Sequence, residues 1–180
     1  AGHAASDVKR ILLTHAHPDH VGAVPQLVKA TGAELIVPAG ERAVVDGEVP
    51  IPKRPKGISP PETFLKDMKA DRTLDDGDTL AEVLGGLQAV NAPGHTPGHT
   101  AYWQPERRIL FCADTVMNTP RMRLPIRIVT VDMAENIRSI AKLAALDPEV
   151  ICFGHGKPVT SDAAGRLRAF AAKVGAKPAG

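Results

Sequence analysis

The chain has 180 residues, a formal net charge of +2, 43% hydrophobic residues and only 3% aromatic ones. That size and composition fit one ordinary globular domain, residues 1–180, and exclude collagen, coiled coil and wholesale disorder. The balanced charge and scarce aromatics give no basis for a nucleic-acid partner, and no stretch is long and apolar enough for a membrane span.

Two cysteines, Cys112 and Cys152, cannot build a disulfide framework, so the core must rest on Ala, Val, Ile and Leu. In chain order, residues 8–13 read as a strand apolar enough to be buried on both faces. A polar segment, 14–22, follows, then a helix over 21–30 with Gly32 as its stop. Residues 34–37 form a short strand ended by Pro38, and 39–46 a short helix. Five prolines make 47–61 a loop of restricted backbone, and 62–70 reads as a helix.

The pattern then changes to short strands. Asp76 and Asp78 belong to a turn, Gly85-Gly86 joins strands 80–84 and 87–91 in a two-residue hairpin, and Pro105-Glu106 joins 100–104 to 108–112. Helical spacing returns at Asp132, which with Glu135 has the capping-box spacing, and Ile137, Ile140, Leu143 and Ala144 share a face. Pro148 ends that helix. Residues 150–153 form a buried strand, and Ser161 caps a last helix to about residue 174. The whole reads as one mixed α/β unit.

Five of the seven histidines sit in short polar segments after strand-like runs. In Thr14-His15-Ala16-His17-Pro18-Asp19-His20, an extended backbone points His15 and His17 to one side, where both can bind one metal. Pro18 bends the chain, so Asp19 and His20 turn toward a second, adjacent point. His95, Asp114 and His155 each follow a strand-like run and have small neighbours that let the backbone come close. His99 is read as a supporting residue beside the site, His3 as a solvated terminal one, and both cysteines as small buried residues. Arg121, Arg123, Arg127 and Lys157 are candidates for binding an acidic substrate group.

The His-x-His-x-Asp-His run, with Pro-Gly-His at 93–95, Ala-Asp-Thr at 113–115 and Gly-His-Gly at 154–156, resembles the metallo-β-lactamase superfamily over residues 8–174. The resemblance implies an αβ/βα sandwich. It puts one metal on His15, His17 and His95 and a second on Asp19, His20 and His155, with Asp114 bridging. Two divalent ions are implied, zinc first, with iron or manganese as alternatives. The implied activity is hydrolysis of an ester or thioester by metal-bound hydroxide, with Asp19 and Asp114 as catalytic residues and a small molecule as substrate.

An acid at position 114 favours the glyoxalase II-like branch over the zinc β-lactamases, which usually carry Cys or Ser there. His17 argues against the flavodiiron branch, which has Glu. A lactonase and an iron-dependent persulfide dioxygenase-like enzyme are the alternatives. The superfamily places several strands before its first motif, so the expectation is a sandwich shortened at its N-terminus. Uncovered sheet edges then imply self-association, or a non-catalytic fragment that needs a partner chain. The expected location is cytoplasmic.

Overall fold

Apolar residues alternate along the longer strands, so successive side chains enter different layers. The computed structural model describes residues 2–53, 56–57 and 68–177. β1 (Arg10–Leu12) leads through α1 (Pro18–Val21) and α2 (Val24–Thr31) to β2 (Glu34–Pro38), α3 (Arg42–Val45) and β3 (Arg72–Leu74). These strands form a parallel sheet in the order β1-β2-β3. Next come β4 (Thr79–Leu80), β5 (Leu87–Asn91), β6 (Thr100–Gln104) and β7 (Ile109–Ala113). A small hairpin, β8 (Met117–Asn118) with β9 (Met122–Arg123), precedes α4 (Met133–Ala144), β10 (Val150–Phe153) and α5 (Ala163–Lys173). The second sheet has the order β10-β7-β6-β5-β4, with β10 parallel to β7 and the other pairs antiparallel.

Alternation sorts the core into three layers. Leu35 and Val37 of β2 pack with Val24, Val44 and Val45 of the α2 and α3 region. Ile36, between them in sequence, points the other way and meets Leu74, Leu80, Leu87, Ala89 and Tyr102 between the two sheets. The far face of the second sheet, including Trp103, Leu110 and Cys112, packs on Ile140, Leu143, Leu167 and Phe170 of α4 and α5. The order is helix, sheet, sheet, helix, as the αβ/βα expectation required.

Several local expectations are corrected. Among the described residues β1 has one strand neighbour, β2; its residues are half-buried, and Val8 lies outside it, exposed. The expected 21–30 helix is two helices. α1 starts at Pro18, where the missing N–H is no loss, and α2 ends at Gly32 with φ 66. The connection between β4 and β5 spans residues 81–86, not two residues, with Leu84, Gly85 and Gly86 all at positive φ. Asp132 caps α4 by accepting from the Ala134 and Glu135 N–H groups, but Glu135 pairs with Arg138 instead of closing the capping box. The N-cap of α5 is Asp162, not Ser161. The 62–70 helix lies largely outside the described residues, as do residues 54–55 and 58–61 of the proline-rich loop. No described helix is long and apolar enough to cross a membrane.

One side chain ties the sheets together beside the loops that carry the expected ligands. The buried Tyr102 hydroxyl on β6 donates to the Leu13 carbonyl, 2.6 Å away, at the end of β1. Tyr102→Phe is expected to lower unfolding free energy by about 1–2 kcal/mol, because it removes a buried donor without changing shape. Urea denaturation checks this; an unchanged midpoint contradicts it.

Candidate metal centre

Strand direction brings the functional segments to one end of the two sheets. His15–His20 follow β1, His95 follows β5, Asp114 follows β7 and His155 follows β10, each just past the carboxyl end of its strand. The Thr100 N–H donates to the Thr14 carbonyl and joins the first of these segments to β6.

Backbone irregularity aims the acid. The β10–β7 register pairs Cys152 with Phe111 but Phe153 with Ala113, so it skips Cys112. Ala113 has φ 44, a left-handed conformation uncommon for a residue with a Cβ. A bulge of this kind re-aims the next side chain, here Asp114. A Cβ on Gly154 would overlap Asp114 Oδ1, so only glycine fits against that carboxylate.

All seven expected ligands converge, in two groups. His15, His17 and His95 form one, and Asp19, His20, Asp114 and His155 the other; within each, one ligand atom per residue lies within 4.8 Å of the rest. Asp114 reaches across both. Its Oδ2 is 3.6 Å from His95 Nε2 and 3.3 Å from His155 Nε2, and its Oδ1 is 3.4 Å from His20 Nε2. Asp19 Oδ2 is 3.0 Å from His155 Nε2. The three-histidine group is buried, whereas the Asp19 side chain is 55% exposed and that of His155 34%. Solvent and ligands therefore reach the assembly from the Asp19–His155 side.

The residues fit cations. His15 Nε2, His17 Nε2, His20 Nε2 and Asp114 Oδ1 are buried without a hydrogen-bond partner. Such orphaned atoms are costly in a folded core unless something else satisfies them. His17 Nδ1 lies 2.9 Å from His95 Nε2, and His95 Nδ1 is 3.1 Å from the Thr130 hydroxyl. The Thr130 contact orients His95 so that its Nε2 faces the site beside His17, the usual arrangement of a ligating histidine.

Electrostatics favours neutral rings in the buried group. Burial, with help from neighbouring imidazoles, holds His15 well below its ordinary value and takes His95 down to about 2. Burial also lowers His17, against the pull of Asp19 and Asp114. For His20, burial opposes charging, but Asp114 and Asp19 outweigh it and raise the value. Burial pushes Asp114 up, but contact with His20 and the charges of His20, His95 and His155 bring it below the usual carboxylate range. Neutral imidazole and ionised carboxylate are the forms that bind metal.

His99 is fully buried and belongs to neither group. Its Nε2 accepts from the Asp114 N–H at 3.2 Å, and its ring centroid is 5.0 Å from that of His15. Burial holds it near about 4, so it stays neutral. Cys112 is buried in the core, Cys152 is half-buried, and neither joins a ligand group. Arg121, Arg123 and Lys157 are exposed near the β8–β9 hairpin, which the Asn118 N–H ties to the His155 carbonyl at 2.8 Å.

Sequence reasoning found α4 but missed the two polar side chains on it that hold the loops. Asn136 and Ser139, one turn apart on α4 and both buried, donate to the carbonyls of Thr115 (3.0 Å) and Pro93 (2.7 Å). It also missed Glu41, whose only signal was its place just after a strand parallel to β1.

Comparison with known proteins agrees with this architecture. Residues 2–155 match the sequence model of the metallo-beta-lactamase superfamily, and the chain belongs to that superfamily. It is 43% identical over 107 residues to a hydroxyacylglutathione hydrolase from Ectopseudomonas mendocina (strain ymp), covering 59% of this chain and 32% of that protein. A metallo-beta-lactamase family protein from Thermus thermophilus, TTHA1429, superposes with a TM-score of 0.70 at 26% identity, over 97% of this chain and 63% of that one. The di-iron-bound form of TTHA1623 gives a TM-score of 0.64 at 30% identity, over 89% and 74%. The chain spans between 32% and 66% of the length of the first curated relatives it matches.

The histidine shifts set an acid limit on the metal-free chain. Groups with a folded pKa below the unfolded 6.5 contribute stability that is full above about pH 6.5 and lost as pH falls, because the unfolded chain binds more protons. Each group contributes at most about 1.4 kcal/mol per pH unit. His20 acts in the opposite sense, its contribution being lost as pH rises through its raised value. With four groups against one, the urea midpoint in the presence of chelator is expected to fall between pH 7.5 and pH 5.0. A midpoint that rises or stays level contradicts the assignment.

Proposed function

We propose that the chain is a binuclear metal-dependent hydrolase of ester or thioester bonds. The observation that carries this reading is the Asp114 carboxylate, which lies within 3.6 Å of nitrogens from both ligand groups and so can serve two cations at once. His15, His17 and His95 would hold one ion, Asp19, His20 and His155 the other, with Asp114 shared. Divalent ions bound there supply Lewis acidity and bring the pKa of water down toward about 7.

The chain's own residues do the rest. The exposed Asp19 carboxylate faces the open side, where its Oδ2 can accept a proton from an attacking water and orient it. Buried, neutral His15, His17 and His95 form the closed floor, so an acyl substrate approaches past Asp19 and His155. His99 fixes the Asp114 backbone. The hydroxyacylglutathione hydrolase similarity supports a thioester as the preferred substrate. The imidazole and carboxylate donors suit zinc, which we propose as the metal. Similarity to the di-iron form of TTHA1623 favours iron as the second reading.

The zinc-loaded chain is expected to bind two ions and to hydrolyse an S-acyl thioester or a p-nitrophenyl ester, with chelation abolishing turnover and added zinc restoring it. Asp114→Ala should reduce turnover by roughly 100-fold or more and lower metal content, with an unchanged far-UV circular dichroism spectrum. Elemental analysis and steady-state kinetics check both. A loaded chain with no turnover of either substrate, or an Asp114→Ala variant of undiminished activity, overturns the reading.

A further inference from the structure

We propose that Glu41 is a positioning residue that sets the geometry of the His15–His17–His95 group without touching a metal, by clamping together the two loops that carry those histidines. The inference rests on the ligand set of the reading above and adds a residue that lies outside both groups.

Glu41 sits in the 3-10 turn Ala39–Glu41 that follows β2, and it is 1% exposed. An acid so buried is unfavourable unless its oxygens are fully engaged. Here Oε2 accepts from the Ala16 N–H at 3.0 Å, and Oε1 accepts from the Thr96 hydroxyl at 2.5 Å and from the Gly98 N–H at 3.1 Å. Ala16 lies between His15 and His17, and Thr96 follows His95. One carboxylate thus joins the backbone between the first two ligands to the residues just after the third.

The approach that permits this is built into the backbone. A Cβ on Gly40 would lie 2.8 Å from the Gly98 Cα, and one on Gly98 would overlap the Gly40 carbonyl carbon. Both positions must lack a side chain for the turn to dock on the second loop. The contact pattern also explains why a carboxylate is required. Two of its three partners are backbone N–H groups, which can only donate, and they bind different oxygens. An amide has one acceptor oxygen and one donor nitrogen. In either orientation, glutamine sets its NH₂ group against the N–H of Ala16 or of Gly98, and one loop is released.

The test is cobalt(II) and zinc binding to the full chain, wild type and Glu41→Gln. The spectrum of His155→Ala, which impairs only the second group, assigns the two cobalt components. Glu41→Gln is expected to weaken the three-histidine component at least tenfold in chelator competition and to shift its visible absorption bands. The component from the other group should keep its affinity. A purely structural role would lower thermal stability and leave the cobalt bands in place. If Glu41→Gln does not fold, Thr96→Val decides, since it removes only the hydroxyl donor; a loss of about threefold or more at the same component is expected. Unchanged affinity and spectrum at that component, in whichever variant folds, overturns the proposal. Failure of the wild-type chain to bind metal would instead overturn the ligand set itself.

Discussion

Five imidazoles and two carboxylates crowd into a space where several of their polar atoms meet neither solvent nor a hydrogen-bond partner. His15, at the centre, has ring centroids of His17, His20, His95 and His99 within 4.1–5.0 Å. Protonating these rings together would place like charges side by side in a medium that screens them poorly. Leaving them neutral strands nitrogen lone pairs with nothing to bind. Divalent cations would resolve both difficulties at once, by accepting the lone pairs and offsetting the Asp19 and Asp114 charges. The rest of the structure follows from the need to hold this assembly in one place.

The fold meets that need by sending each segment past the carboxyl end of a strand and then fastening the loops to one another. Tyr102 ties the end of β1 to the second sheet, and α4 reaches down with Asn136 and Ser139 to the Asp114 and His95 segments. His99 receives the Asp114 N–H, and Glu41 spans the two loops of the buried histidines. Strain is concentrated in the same neighbourhood. Ala113 holds a left-handed conformation beside the bulge, at a typical cost of about 1–3 kcal/mol, where the surrounding ladder leaves no alternative.

The convergence of the candidate ligands was more legible than the scaffolding that holds them. Two-residue periodicity in an extended segment was enough to pair His15 with His17, and Gly-His-Gly was enough to foresee a close backbone approach at His155. Long apolar or periodic stretches such as β5, β6, β10 and α4 were readable for the same reason. β3, β8 and β9 were not, since two or three residues carry no measurable period. The bulge at Ala113 leaves no mark in composition. Buried polar residues were the main blind spot. Glu41, Asn136 and Ser139 look like solvent-facing positions in one dimension, and only the loops folded over them supply the partners that make burial tolerable.

The central claim is that the seven side chains cage a pair of cations sharing Asp114. Anomalous diffraction from crystals of the zinc-loaded chain, recorded on either side of the zinc absorption edge, addresses it most directly. Two peaks are predicted, one among His15, His17 and His95 and one among Asp19, His20 and His155, with the Asp114 carboxylate between them. A single peak, or peaks away from these residues, would contradict it.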